Sequence, residues 1–323
     1  MPLTIDFFPL RVSLFAGAFL MNQAVVLAGS SPTVESTPKS TAKFWQSTLS
    51  AASGYQSGKF DWNIPNGNES PNIVSELTWD DLDIWTNALQ FEALGNEKWM
   101  IQLGFSYGEI LDGRNRDSDY LFDDRGGEFS RSYADVDGHT LSARAMLGYR
   151  FNLLDGRLSL TPALGYAFDQ QQFEDSNGYQ AINRIDGYTG SFPGLDSSYE
   201  TEWHAGVVDL GLAFRLTKRV ELLGGGSFAM GSYDADAVWN LRDDLRQNPS
   251  FRHSADGYGA SARLGLRYQL ADAWFIHGMA TYQTQWTDGG QETIYFREGS
   301  QSNGFNEATW ESLGFAIGVD FRF

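Results

Sequence analysis

The chain of 323 residues has no cysteine, which excludes a disulfide framework, a thiolate metal site and an acylated lipoprotein cysteine. Basic residues are scarce: 23 Lys and Arg stand against 41 Asp and Glu, a formal net charge of −18. So acidic a chain repels nucleic-acid phosphates and favours cationic partners at an exposed surface. Histidine is nearly as rare, with only His139, His204, His253 and His277 to supply a proton acceptor near neutral pH. No uncharged apolar run reaches the ~20 residues that a membrane-spanning helix needs, so a helical membrane protein is excluded.

What is present is alternation. From Trp310 to the end, Leu313, Phe315, Ile317, Val319, Phe321 and Phe323 alternate with Ser312, Gly314, Ala316, Gly318, Asp320 and Arg322. Successive side chains of a strand point to opposite faces, so one face here is greasy and the other small or polar. That pattern suits a strand between lipid and a wet interior. Its final aromatic residue resembles the signal read by the barrel-assembly machinery of the Gram-negative outer membrane. At the other end, Arg11, the apolar run Val12 to Leu20 and the small-residue pattern Val26-Leu27-Ala28 read as a signal peptide over residues 1–28. A flexible Ser, Thr and Pro-rich lead-in follows over 29–43, and the barrel occupies 44–323.

Alternating segments fall at 47–63, 73–94, 98–113, 136–153, 157–175, 198–216, 219–240, 252–269, 273–296 and 306–323. Ten strands, an even number, predict an all-β fold: a closed antiparallel up-and-down transmembrane β-barrel with five long outer loops. Tight turns at Gly95-Asn96-Glu97-Lys98, Asp155-Gly156, Thr217-Lys218 and Ala271-Asp272 would face the periplasm. Ten strands predict a narrow lumen filled by side chains.

Two acidic groups sit where the outer rim should be. Asp117 and Asp119, two residues apart on extended chain, point the same way, and their like charges would raise one of the two pKa values, which suits general-base work. Asp234 and Asp236 end the seventh segment, although Asp236 shares the parity of Phe228 and Met230 on the lipid-facing side. The composition and spacing call for no cofactor and no metal.

Four stretches carry a family resemblance: Ser75-Glu76-Leu77-Thr78-Trp79, Asp117-Ser118-Asp119-Tyr120, Gly190-Ser191-Phe192-Pro193-Gly194 and Asp234-Ala235-Asp236. With them the chain resembles the omptins, ten-stranded outer-membrane endopeptidases, over nearly all of its mature length. The resemblance implies a rim groove in which an aspartate pair and an Asp-His pair hold a water. Asp117 and Asp119 match the first pair and Asp236 the aspartate of the second, while Asp234 matches an acid that favours basic residues at the cleavage site. The histidine position is Val238, which accepts no proton, a loss worth roughly 10²- to 10⁴-fold in rate. His253, at the start of the eighth segment, is the nearest substitute, with His139 a weaker one. The family's basic lipopolysaccharide contacts are also missing, since Tyr166-Ala167-Phe168-Asp169-Gln170 and Glu202 stand there, which argues against a lipopolysaccharide-specific site. Three functions stay open: an altered endopeptidase for basic peptides, a non-catalytic surface barrel binding cationic partners, and a narrow pore.

Overall fold

The structure, a computed structural model, describes residues 45–67 and 69–323. The expected signal peptide and lead-in lie outside the described residues. Period-two patterning produces strands throughout, and there is no helix among the described residues. Ten strands form the ring: β1 (Trp45–Ile64), β2 (Ser75–Gly95), β3 (Trp99–Phe122), β4 (Gly126–Tyr149), β5 (Leu158–Asn183), β6 (Ser197–Arg215), β7 (Val220–Val238), β8 (Phe251–Gln269), β9 (Trp274–Thr287) and β10 (Glu307–Arg322). Each pairs antiparallel with its sequence neighbours, and β10 closes the ring on β1 from Thr48 opposite Arg322 to Asn63 opposite Glu307. Beyond β9 an outer hairpin, Gly290–Tyr295 with Ser300–Phe305, extends the wall by pairing with the start of β8.

The short turns follow local chemistry. Asn96 and Glu97 both have positive φ (49° and 59°), the handedness a tight hairpin demands and one that Asn tolerates well. Outward-facing Trp99, Ile101, Leu103, Phe105 and Tyr107 on β3 are all exposed, alternating with Met100, Gln102, Gly104 and Ser106 inside. Trp45, Trp99 and Trp274 ring one edge of this greasy band; Trp85, Tyr107, Tyr166 and Tyr282 ring the other. Such a band spans about 9 to 11 residues per tilted strand, so the longer strands project beyond it on the outer side.

That projection changes one expectation. The second outer loop, expected over 114–135, is mostly strand, because β3 runs to Phe122 and β4 starts at Gly126. Asp117 and Asp119 therefore sit on a wall and not on a loop. A bulge between Ile110 and Arg114 on β3, matched by one between Asp80 and Asp83 on β2, shifts the parity: Ile110 and Leu82 point inward below it, Asn115 and Trp79 above.

The lumen divides at about the level of the outer girdle. Above it the interior is packed solid with Phe60, Trp62, Trp79, Phe173, Tyr199, Trp203, Tyr233, Phe251, Phe305 and Trp310. Their rings interlock, with Trp79 stacked on Phe173 at 5.0 Å and on Tyr199 at 5.2 Å between centroids. Each such side chain contributes on the order of 1.5–3 kcal/mol by burial, so this layer is a true core. Below it lies a polar cavity of about 820 Å³, reaching from Gln46, Arg150 and Gly156 at the turn end up to Asp169, Gln171 and Trp310. The side-chain-filled lumen expected from ten strands holds for the projecting half alone.

Candidate functional site

The first acidic pair does share one side of the chain. Asp117 is paired with Leu77 and Ser132, Asp119 with Ser75 and Ser130, and both face inward at the mouth of the projecting barrel, outside the membrane-spanning part. A third carboxylate joins them. Asp175 of β5 is buried and accepts hydrogen bonds from Trp79 Nε1 (2.9 Å) and Asn115 Nδ2 (2.7 Å). Asp117 Oδ1 is buried with no hydrogen-bond partner. Burial, then the charges of Asp119 and Asp175, push the Asp117 carboxyl up to about 8. Burial likewise pushes Asp175 up to about 7 against its two donors. Asp119 is raised by burial, opposed by the hydroxyls of Ser75 and Ser130 and the charge of Arg242. Burial thus favours the protonated form at all three, most strongly at Asp117.

Asp175 was not singled out by its sequence, yet a signal existed. Gln171, Phe173 and Asp175 share one parity in an alternating run, which sets Asp175 on the same face as the Phe173 ring.

The second pair is not brought together. Asp236 lies opposite Arg252 on the outer face of the wall and accepts its guanidinium in a fork, at 2.6 Å from Nε and 2.7 Å from Nη2. Asp234 and Val238 share that outward parity, opposite Glu202 and Ser198. A histidine at 238 would therefore also face away from Asp117. His253, one residue after Arg252, points the other way and is 0% exposed. Its Nδ1 meets the Tyr199 hydroxyl at 2.8 Å, and that hydroxyl meets Tyr233 at 2.7 Å. Its Nε2 lies 3.5 Å from Glu292 Oε1 on the outer hairpin, and its ring stacks on Phe305 at 4.3 Å and meets Trp62 edge-on at 4.8 Å. Burial lowers its pKa, with Glu292 opposing.

His139 and His204, the other outer-half histidines, also face outward, His139 stacked on Tyr107 at 5.7 Å and His204 within 2.5 Å of the Tyr166 hydroxyl. The groove expected between the two acidic groups is occupied by the aromatic core. No group of three or more His, Asp or Glu among the described residues is arranged to hold a metal ion.

On the outer face of the projecting wall, Glu200 stands directly opposite Asp236 and Glu202 opposite Asp234. Inside the membrane-spanning half, carboxylates and arginines pair along the inner wall between strands one or two apart: Arg263 forks onto Asp209 at 2.7 and 2.8 Å, Arg150 reaches Glu92 at 3.0 Å, and Arg267 binds Glu221.

Among solved structures, the outer membrane protease OmpT from Escherichia coli is similar to the chain with a TM-score of 0.68 at 15% identity, covering 86% of this chain and 97% of that one. The translocator domain of the autotransporter NalP from Neisseria meningitidis matches at a TM-score of 0.37 and 13% identity, covering 85% and 88%. OprG from Pseudomonas aeruginosa matches at 0.33 and 11%, covering 85% and 95%. At these identities the first likeness carries the barrel fold alone, and the other two carry no argument. No curated protein sequence matches the chain. The family model described as "Pom: Protochlamydia outer membrane protein" matches residues 50–323, and with the closed barrel this shows that the chain belongs to that family of outer-membrane proteins.

Proposed function

We propose that the barrel is a passage for small hydrophilic solutes across the outer membrane, with its outer end closed in this conformation by the aromatic layer. The observation that carries this reading is the polar cavity of about 820 Å³ inside the membrane-spanning half. A barrel serving only as an anchor fills its interior with side chains, as this one does above the girdle. Here the membrane-level interior instead keeps a wet, charged space, and charged side chains at that depth mark solute pathways.

Passage requires the aromatic layer to part. The outer hairpin is the piece of wall best suited to move, since breaks at Asp288-Gly289 and at Asn306 separate it from β9 and β10. It carries Glu292 and Phe305, both of which contact His253. The test is electrical: the purified barrel in a planar bilayer should show discrete current steps, and Trp310→Ala should lengthen them. A folded barrel that carries no current in either form removes the reading.

A second function is favoured by the outward carboxylates. Like charges directly opposite on neighbouring strands repel, and a cationic partner relieves that repulsion. Asp236 is already held by Arg252, so the outer wall around Glu200, Glu202 and Asp234 is the docking face for basic peptides. Binding of an oligo-arginine peptide at low salt, lost in Glu200→Gln/Glu202→Gln, supports this; equal binding by the variant contradicts it.

Peptide hydrolysis receives less support. Asp117 and Asp119 face inward together, but Asp236 is forked onto Arg252 on the outer face and His253 is enclosed in the aromatic core.

A further inference from the structure

Six arginines line the membrane-level cavity, Arg144, Arg150, Arg215, Arg263, Arg267 and Arg322, against five carboxylates, in a chain whose overall charge is −18. Four of the six meet a carboxylate: Arg150 at Glu92, Arg215 and Arg267 at Glu221, and Arg263 at Asp209. Arg322 lies over the Phe275 ring, 4.4 Å from its centroid. Arg144 differs. Among the described residues it makes no hydrogen bond, ion pair or ring contact.

Its position explains why it is free. Arg144 points inward from β4 between Gly104 of β3 and Ala167 of β5. Neither neighbour has a polar side chain, and a Cβ built on Gly104 would have nothing within 4 Å, so open lumen lies beside the guanidinium. Asp169, two residues beyond Ala167 on β5, is already engaged: its oxygens receive Ser142 Oγ at 2.5 Å and Gln285 Nε2 at 3.0 Å. Gly104 lies between lipid-facing Leu103 and Phe105, which sets this layer within the bilayer. An uncompensated charge at that depth is costly and is retained where it binds something. A free guanidinium presents five donors in a planar fork, which matches two oxygens of a small oxyanion.

We infer that Arg144 forms a binding site for small oxyanions, phosphate or a short carboxylate, within the cavity, two residues below the level of Asp169. The site rests on the passage reading for its supply of solute, whereas occupancy is measured without any current. Lipid headgroups do not reach this lumen, so the ligand is a free solute.

The test is a titration of the detergent-solubilised full barrel with inorganic phosphate, following the arginine Nε–Hε resonances. One resonance should shift saturably, should be missing in Arg144→Gln, and the remaining phosphate response of that variant should be weaker by about tenfold or more, as loss of a charge-assisted fork implies. Arg144→Lys, which keeps the charge without the fork, should bind with intermediate strength and serves if the glutamine variant fails to fold. No saturable shift, or an identical titration in both variants, overturns the site. Phosphate binding without bilayer current would leave the site standing and sink the passage; current without phosphate binding would do the reverse.

Discussion

Asp236 and His253 stand on opposite faces of one barrel wall. Asp236 is forked onto Arg252 outside, and His253, the next residue along β8, is enclosed by Trp62, Phe305 and Tyr199 inside. A strand's period of two makes this separation unavoidable once Arg252 is outward. Hydrolysis through these two residues would require one of them to cross the sheet. A dibasic fluorogenic peptide should accordingly be cleaved no faster by the purified barrel than by its Asp117→Ala variant. A rate that falls a hundredfold in that variant would restore the peptidase reading.

His253 should matter for stability instead. Replacing it with Ala empties a site that is 0% exposed and leaves the buried Tyr199 hydroxyl with one partner fewer. By analogy with large-to-small core changes the cost is roughly 2–5 kcal/mol. Asp236→Ala, which breaks a half-exposed ion pair, should cost about 1 kcal/mol or less. Urea unfolding of the barrel in lipid vesicles compares the two.

The acidic trio predicts a pH dependence. In the unfolded chain an aspartate loses its proton near pH 4, whereas folded Asp117 keeps it to about 8. The folded state binds the extra proton between these limits, so its stabilising effect is complete below about pH 4 and is lost as pH rises through 8. Unfolding midpoints across that window should fall toward alkaline pH in the wild type. In Asp117→Asn the slope should flatten.

The outer carboxylate ladder should be a liability when nothing is bound. Glu202→Gln removes a like-charge opposition with Asp234 and should raise stability by about 0.2–1 kcal/mol. The same change should weaken low-salt binding of an oligo-arginine peptide. Added salt should erase both effects.

The ring itself was legible in the sequence because the membrane-level strands obey strict alternation, as in Leu313 to Val319. So was the outward parity of Asp236, shared with Phe228 and Met230, both exposed on the lipid side. The aromatic core was harder to see. Bulges near Asp81 and between Ile110 and Arg114 reverse which parity faces inward, so Trp85 outside and Trp79 inside look alike in sequence. The stretch from Arg114 to Phe122, rich in Asp, Asn and Arg, has weak strand propensity and reads as a loop. Pairing with β2 and β4 on both sides makes it a strand. The pairing of lumen arginines with acids on other strands depends on register across the ring, which no local pattern encodes.

The central claim is that the membrane-level cavity is part of a passage. Its most direct test is current through the wild-type barrel and its Trp310→Ala variant in a planar bilayer, both shown to be folded. Discrete steps in the wild type, lengthened when Trp310 is truncated, are the expected result. Silence from both at every voltage would contradict it and leave a closed surface barrel.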